Sequence, residues 1–215
     1  MRALSARVLD NMTDTAAADI GRAEGLAGQA LAASPRSPLA HYAKGQVLRA
    51  QSRYEEAIPE YETVLTLDRD WVSAYAHIGQ CKLYSGSMEE AIRLVEQAIR
   101  LSPRDPEIGI FYSRIGLVHL LQSRTDEAIL WLEKARNATS AHPHIRAWLA
   151  SAYALKGEIE RAAAELAEAR RLSADSRYSS VARLKDVGYF GVPKTRALHE
   201  ATFFAGLRKA GMPEE

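Results

Sequence analysis

The chain contains four similar segments at a nearly constant interval, and this repetition restricts its fold more than any other feature. One segment, MEEAIRLVEQAIRLSP at residues 88–103, places apolar residues three and four positions apart, which predicts an amphipathic helix. The aligned small residues are Ala57, Ala91, Ala128 and Ala162, with spacings of 34, 37 and 34 residues. A single apolar face cannot be buried alone, so each copy must pack against its neighbours.

A second series of small residues precedes the first and keeps the same spacings. Its members are Gly45, Gly79, Gly116 and Ala150. Because a mid-helix glycine costs about 1 kcal/mol relative to alanine, its recurrence indicates that two helices approach closely, with the small residue facing the aligned alanine. Turn residues separate the two series, namely Ser52, Gly86, Ser123 and Gly157. Each unit is therefore predicted to be a helix A, a turn and a helix B.

This pattern resembles the tetratricopeptide repeat, a helix–turn–helix unit of about 34 residues, over roughly residues 36–173. The Leu-Gly pair of that family is matched by Ile78-Gly79 and Ile115-Gly116. The resemblance implies an all-α fold, an α-solenoid in which about 11–12 helices form antiparallel pairs. Such pairs stack into a right-handed superhelix with one concave face.

Four repeat units are expected, with less regular segments at both ends. The units span residues 38–71, 72–105, 109–142 and 143–176. Residues 1–35 are expected to form a leading degenerate repeat or N-terminal cap, whose helix A is RALSARVLDNM at residues 2–12. Residues 174–215 are expected to form a half-repeat and a capping helix.

The C-terminal segment suggests two further roles. Its last residues, ATFFAGLRKAGMPEE, are similar to the C-terminus of α-proteobacterial class III adenylate or guanylate cyclases, in which a signalling domain precedes a tetratricopeptide array. This similarity implies the regulatory part of a bacterial signalling protein, with the cyclase domain outside this chain. On a helical wheel one face can seal the last repeat, and it is formed by Ala197, Leu198, Ala201, Phe204 and Ala205. Phe203 and Leu207 point away from this face. They predict a contact with a neighbouring domain or a second copy, so a homodimer is the alternative function.

The composition excludes several classes of function. The net charge is +1 and basic residues are mixed with acidic ones, so binding to nucleic acid is not expected. No run approaches the roughly 20 apolar residues that span a bilayer, and the N-terminus lacks the apolar core of a signal peptide. The single cysteine, Cys81, is typical of a reducing compartment. We therefore expect a cytoplasmic protein without membrane contact.

No pattern predicts catalysis, a metal or a cofactor. The sequence has no GxSxG, P-loop, HExxH or dinucleotide motif. Cys81 lies on a predicted helix A, where a buried thiol is expected and an enzymatic pocket is the weaker alternative. His142 and His144 have no third ligand nearby, so a surface loop is expected there rather than a metal site. The chain is predicted not to be an enzyme.

Binding of a protein or peptide partner is the function that the repeats favour. Side chains of helix A beside the small residues are expected to line the concave groove and contact the partner. They are Tyr42, Gln46, Arg49, His77, Gln80, Tyr84, Arg114, Trp148 and Ser151. The alternative role is packing between adjacent repeats, and the sequence does not decide between the two for Tyr42, Gln80, Arg114 and Trp148. Packing is favoured for Leu117, Leu120 and Leu121.

The chemistry of this groove differs from that of one well-known group of the family. Some tetratricopeptide domains hold the C-terminal carboxylate of a peptide with lysines and asparagines at these positions. The corresponding set here contains neither, so a chaperone-type carboxylate clamp is not expected. The amides of Gln46 and Gln80 can instead bond the backbone of an extended segment, since an amide both donates and accepts hydrogen bonds.

Overall fold

A computed structural model describes residues 16–188 and 190–215, and within them the chain consists of helices joined by turns, with no strand. The predicted leading helix at residues 2–12 lies outside the described residues. The nine longer helices are α1 (Ala16–Ala33), α2 (Pro38–Ala50), α3 (Tyr54–Leu67), α4 (Val72–Tyr84), α5 (Met88–Leu101), α6 (Ile108–Leu121), α7 (Thr125–Ala138), α8 (Pro143–Lys156) and α9 (Ile159–Leu172). The expected all-α, α-solenoid fold is confirmed.

Shorter helices follow the ninth. They are a 3₁₀ turn (Arg177–Ser179), α10 (Val181–Val187), α11 (Pro193–His199), a π-helical turn (Glu200–Phe204) and α12 (Ala205–Lys209). The last three elements run on without a break, and residues 190–214 are called the C-terminal segment below.

Helices pair as the two series of small residues predict. The A helices are α2, α4, α6 and α8, and each packs antiparallel on the B helix that follows it. The turns that join them use left-handed backbone, with φ of 88° at Gly86, 90° at Gly157, 58° at Ser52 and 60° at Ser123. Two of the four turns thus place a serine in a conformation that favours glycine, because the tight reversal between helices requires it.

The close approach of helix A to helix B is confirmed, but the facing residue differs from the prediction. A Cβ atom added at Gly79 would lie 2.7 Å from Val95 Cγ2, and one at Gly116 would lie 2.7 Å from Leu132 Cγ. Gly45 meets the ring of Tyr61 in the same way. Each glycine therefore faces a large side chain one helical turn beyond the aligned alanine. The space that the glycine leaves is filled by that side chain, which keeps the interface densely packed.

The C-terminal segment lies across the A helices instead of covering only the end of the stack. It begins beside α4, where Val192 N donates to Tyr84 O at 3.0 Å. It passes over α8, where Ser151 Oγ donates to Phe203 O at 2.9 Å. It ends beside α10, where Val181 N donates to Pro213 O at 2.9 Å. The segment thus crosses the face that the A helices form, from the second unit to the end of the described repeats.

Candidate partner-binding face

The inner face of the solenoid is formed by the A helices, because α4, α6 and α8 contact one another in succession. Its C-terminal half is covered by the C-terminal segment, which packs on α6 and α8. The side chains below the segment are apolar or small, and Leu117, Leu120 and Leu121 are buried there as expected. The part of the inner face that the described C-terminal segment leaves uncovered is formed by α2, α4 and the middle of α6. We call this part the open face.

Six of the nine predicted groove residues lie together on the open face and form one hydrogen-bond network: Tyr42, Gln46, Arg49, His77, Gln80 and Arg114. At its centre, Gln80 Oε1 accepts from Arg49 Nη2 at 2.6 Å and from Arg114 Nη2 at 3.0 Å. Because these residues belong to α2, α4 and α6, the network joins three successive repeat units. The repeat spacing positions it, since each member lies near the small residue of its own helix A.

The two arginines of this network are almost completely buried, with exposed fractions of 6% for Arg49 and 8% for Arg114. Arg49 Nη1 also donates to Gln46 Oε1. Arg114 Nη1 donates to Ala76 O at 2.8 Å. Gln46 and Gln80 are only partly buried. The guanidinium groups therefore lie just beneath two glutamine side chains that solvent can reach.

Aromatic side chains support the network from below. The Tyr42 ring packs against Trp71 at 5.2 Å and Tyr61 at 5.7 Å between ring centroids. The Tyr42 hydroxyl lies 2.9 Å from His77 Nε2, and Tyr61 donates to Gln46 Oε1 at 3.0 Å. Tyr42 and His77 are buried, with exposed fractions of 3% and 6%. The Tyr42 hydroxyl also accepts from Gln46 Nε2 at 3.4 Å, and His77 Nδ1 lies 3.5 Å from Arg114 Nη2, so both side chains pack beneath the network. Their contact with a partner stays a prediction.

Burial of positive charge has different outcomes at the two arginines of the open face. It opposes the charged form of Arg49, but interactions with Tyr61 and Cys81 leave the pKa of this residue raised. Burial, together with repulsion from Arg49, lowers the pKa of Arg114 to about 10. Burial raises the pKa of the nearby Cys81 thiol to about 11. This thiol is protonated near neutral pH and is a poor nucleophile, since the thiolate is the reactive form.

The remaining three groove candidates are not part of this hydrogen-bond network. Tyr84 is partly buried at the edge of the open face, and its ring lies 4.9 Å from that of Tyr54. Trp148 is partly buried on α8, where it stacks on His144 at 5.8 Å. Ser151 is fully buried beneath the C-terminal segment. The expectation that Ser151 lines an open groove is therefore wrong, because the chain itself covers this position.

The predicted orientation of the C-terminal helix is wrong in part, although Phe204 of the expected sealing face is buried. Phe203 and Leu207, expected to point outward, have exposed fractions of 2% and 0%. Ala197 and Ala201, expected on the sealing face, are exposed. On a helical wheel the alanines form part of an apolar face. In the structure the helix instead approaches α8 through Gly206, where an added Cβ would lie 2.5 Å from Ser151 O. In this conformation Phe203 and Leu207 cannot contact a second copy of the chain.

Sequence reasoning also missed Tyr61 and the C-terminal segment as neighbours of the inner face. Tyr61 lies on a B helix, and only its alignment with Val95 and Leu132 opposite the glycines could have placed it. For the segment, the signal was the set of small residues on α8, where Ser151 and Ala154 replace larger side chains of the other units and Ala147 and Ala150 are also small. Those small residues leave the space into which the segment packs.

The described residues offer no metal site. Within residues 16–188 and 190–215, no three His, Cys, Asp or Glu side chains are grouped so as to hold an ion. The sequence predicts a surface loop around His142 and His144, but Pro143 and His144 lie in the first turn of α8 and are partly buried. Burial lowers the pKa of His144 to about 3, and its Nδ1 lies 2.5 Å from Tyr178 Oη. None of the helices in this part of the chain combines the length and apolar character needed to cross a bilayer.

Comparison with known proteins identifies the repeat. A family model for the tetratricopeptide repeat matches residues 16–72 and 78–143, together more than half of the chain. No curated protein matches.

Several solved structures share the fold. The type IV pilus biogenesis factor PilW has a TM-score of 0.68 at 14% identity, over 98% of this chain and 88% of that one. TTC0263 of Thermus thermophilus has a TM-score of 0.66 at 22% identity, over 86% and 98%. YrrB, described as having an unusual peptide-binding site, has a TM-score of 0.55 at 16% identity, over 85% and 92%. At these identities the likeness concerns the fold alone.

Proposed function

The chain belongs to the tetratricopeptide repeat family, and we propose that it is a protein-interaction scaffold without catalytic activity of its own, whose open face binds a segment of a partner protein. The observation that supports this is the contrast between the two halves of the inner face. One half presents leucines and small residues, and the chain covers it with its own C-terminal segment. The other half has two partly exposed glutamines above buried arginines and aromatic rings, and the described C-terminal segment does not cover it.

The residues of the open face suit recognition of a polypeptide. The amides of Gln46 and Gln80 are partly exposed and can both donate to and accept from a peptide backbone. Tyrosine, tryptophan and arginine dominate the energetics of many protein interfaces. Tyr84 adds such a ring at the edge of this surface. YrrB, which shares the fold, is described as a tetratricopeptide protein with a peptide-binding site.

The experiment that tests the proposal locates the partner and then measures its affinity. A photoreactive amino acid replaces Gln80 on the open face or, as the matched control, the exposed Glu62 on the outer helix α3. We expect a partner to be captured from position 80 and not from position 62. Its affinity for the purified chain should fall at least about tenfold in Gln80→Ala, the loss expected for an interface hot spot, and stay unchanged in Glu62→Ala. Equal affinity in both variants would contradict binding at the open face.

A regulatory role in a bacterial signalling protein is the finer proposal, supported by the similarity of residues 201–215 to the C-terminus of class III cyclases. Neither the family model nor the solved structures provide evidence for this regulatory role. The test is the genomic sequence upstream of residue 1, where a cyclase or related signalling domain in frame would support it. A separate reading frame that starts at Met1 would contradict it. The expected cytoplasmic location stays a prediction.

A further inference from the structure

The described residues contain two places where a pair of arginines converges on one side chain, and the two differ in charge. At the first, Arg136 and Arg146 donate to the carboxylate of Glu165 at 2.6 and 2.9 Å. At the second, Arg49 and Arg114 donate to the amide oxygen of Gln80 at 2.6 and 3.0 Å. The distances are similar, but Glu165 offers one oxygen to each arginine and carries a negative charge, whereas Gln80 offers a single neutral oxygen to both.

The positive charge of the second pair is uncompensated within the described chain. Ion pairs with carboxylates involve other arginines and lysines of residues 16–188 and 190–215, and neither Arg49 nor Arg114 takes part in one. Glu107 favours the charged form of Arg114 only from a distance. Two buried like charges without a counterion are costly, because burial removes the water that would stabilise them.

Unused hydrogen-bonding capacity accompanies this charge. Arg49 Nε is buried and has no acceptor in the described structure. Only 6% of Arg49 is exposed, so water cannot readily take the place of that acceptor. A guanidinium group has five N–H donors in a planar fork that matches the two oxygens of a carboxylate.

We propose that Arg49 and Arg114 form an anion-binding site on the open face that takes the side-chain carboxylate of an aspartate or glutamate within a partner segment. This deepens the proposed function and rests on it. The carboxylate replaces the Gln80 amide oxygen, whose partly exposed side chain can turn outward. The exchange is favourable because a hydrogen bond between two charged groups is stronger than one to a neutral acceptor. Gln46 and Gln80 then bond the partner backbone on either side.

The distribution of charge supports the assignment. Repulsion from Arg49 contributes to the lowered pKa of Arg114, and a carboxylate between them would reverse that effect. Elsewhere in the described chain, the carboxylate of Glu165 lies between Arg136 and Arg146, so a pair of arginines in this fold can bind one carboxylate.

The test uses the full chain and small probes in place of an unidentified partner. N-acetyl-glutamate N-methylamide mimics an acidic residue within a segment, the glutamine analogue is its neutral control, and N-acetyl-alanine represents a terminal carboxylate. We expect saturable NMR shifts of the Nε–Hε signals of Arg49 and Arg114 with the glutamate probe, at an affinity at least tenfold higher than with either control. Equal or absent shifts with all three probes would overturn the proposal. Stronger binding of N-acetyl-alanine would instead assign the site to a chain terminus and equally overturn it.

A variant that supplies the carboxylate internally gives a second readout. Gln80→Glu should raise Tm, since it places one negative charge between the two buried arginines, and should weaken binding of the glutamate probe at least tenfold. The matched control is Gln97→Glu, because Gln97 accepts from the exposed Arg100 at 2.7 Å, and it should change neither quantity. A lower Tm in Gln80→Glu with undiminished probe binding would contradict the site.

The two proposals can fail separately. If position 80 captures a partner whose affinity depends on Gln80, while the glutamate probe does not bind, the scaffold function stands and the acid-binding site falls. If the probe binds but no partner depends on the open face, the anion site stands without the proposed function.

Discussion

Glycines within the A helices of the repeats are explained at the level of single atoms. Gly79 and Gly116 each lie where an added Cβ would overlap a buried branched side chain of the paired B helix. The helical penalty of glycine is therefore offset by dense packing between the two helices. Glycines of α1 differ, because Gly21, Gly25 and Gly28 have open space around the corresponding position.

Substituting these two kinds of glycine should have opposite effects on stability. Gly79→Ala should lower the free energy of unfolding by about 1–3 kcal/mol, since the new methyl group would meet Val95 Cγ2 at 2.7 Å and Ala91 O at 3.1 Å. Gly25→Ala should raise it by about 0.5–1 kcal/mol, because nothing opposes the gain in helix propensity. Urea unfolding of both variants checks this, and stabilisation by Gly79→Ala would contradict the packing described.

The buried His199 predicts a dependence of stability on pH. Burial lowers its pKa to about 4, against which its hydrogen bond to Thr195 O acts only weakly, and the residue is 1% exposed. The folded chain keeps this histidine neutral while the unfolded chain protonates it near pH 6.5. The free energy of unfolding should therefore fall as pH decreases from about 6.5 to about 4, with about 1–3 kcal/mol from this group.

His199→Asn keeps a donor near Nδ1 but removes the titration. The variant should be less stable than the wild type at pH 7, and the difference between the two should shrink toward pH 4. Denaturant unfolding at a series of pH values measures this difference. A constant difference over the whole range would show that His199 does not titrate as described.

Among the secondary-structure elements, the helices of the repeats can be predicted from local sequence patterns, whereas the position of the C-terminal segment depends on residues that are distant in sequence. Helix A, turn and helix B follow from local periodicity, and the turn residues Gly86 and Gly157 were readable as such. The position of the C-terminal segment could not be read in this way. It depends on a fit between Gly206 and the small residues of α8, which are distant in sequence and gain meaning only when the helices are stacked.

Docking of this segment should be separable from the stability of the first repeats. Leu207 is fully buried against the A helices, so Leu207→Ala should cost about 2–5 kcal/mol. Each unit of a solenoid interacts mainly with its neighbours. Hydrogen exchange should therefore accelerate in α8 and the segment while α2 and α3 keep their protection. Leu130→Ala, at a 53% exposed position, is the control and should change exchange little. Uniform acceleration through all repeats would contradict the separation.

In the molecule as a whole, the two halves of the inner face have different roles. The C-terminal half is filled by the chain's own segment, and the N-terminal half carries the network around Gln80. Six of the nine groove residues that the sequence predicts lie in this N-terminal half, because repeat register determines which residues share a face. It did not reveal the convergence of Arg49 and Arg114, since that depends on side-chain geometry across three units.

Hydrogen exchange of the chain in complex with its captured partner decides whether the partner binds only at the open face. The account predicts that the partner slows exchange in α2, α4 and the middle of α6. It also predicts no change in the outer helices α3 and α5 or in the C-terminal segment. Protection confined to the outer helices, or loss of protection in residues 190–214 as the partner binds, would contradict the claim that the open face alone receives the partner.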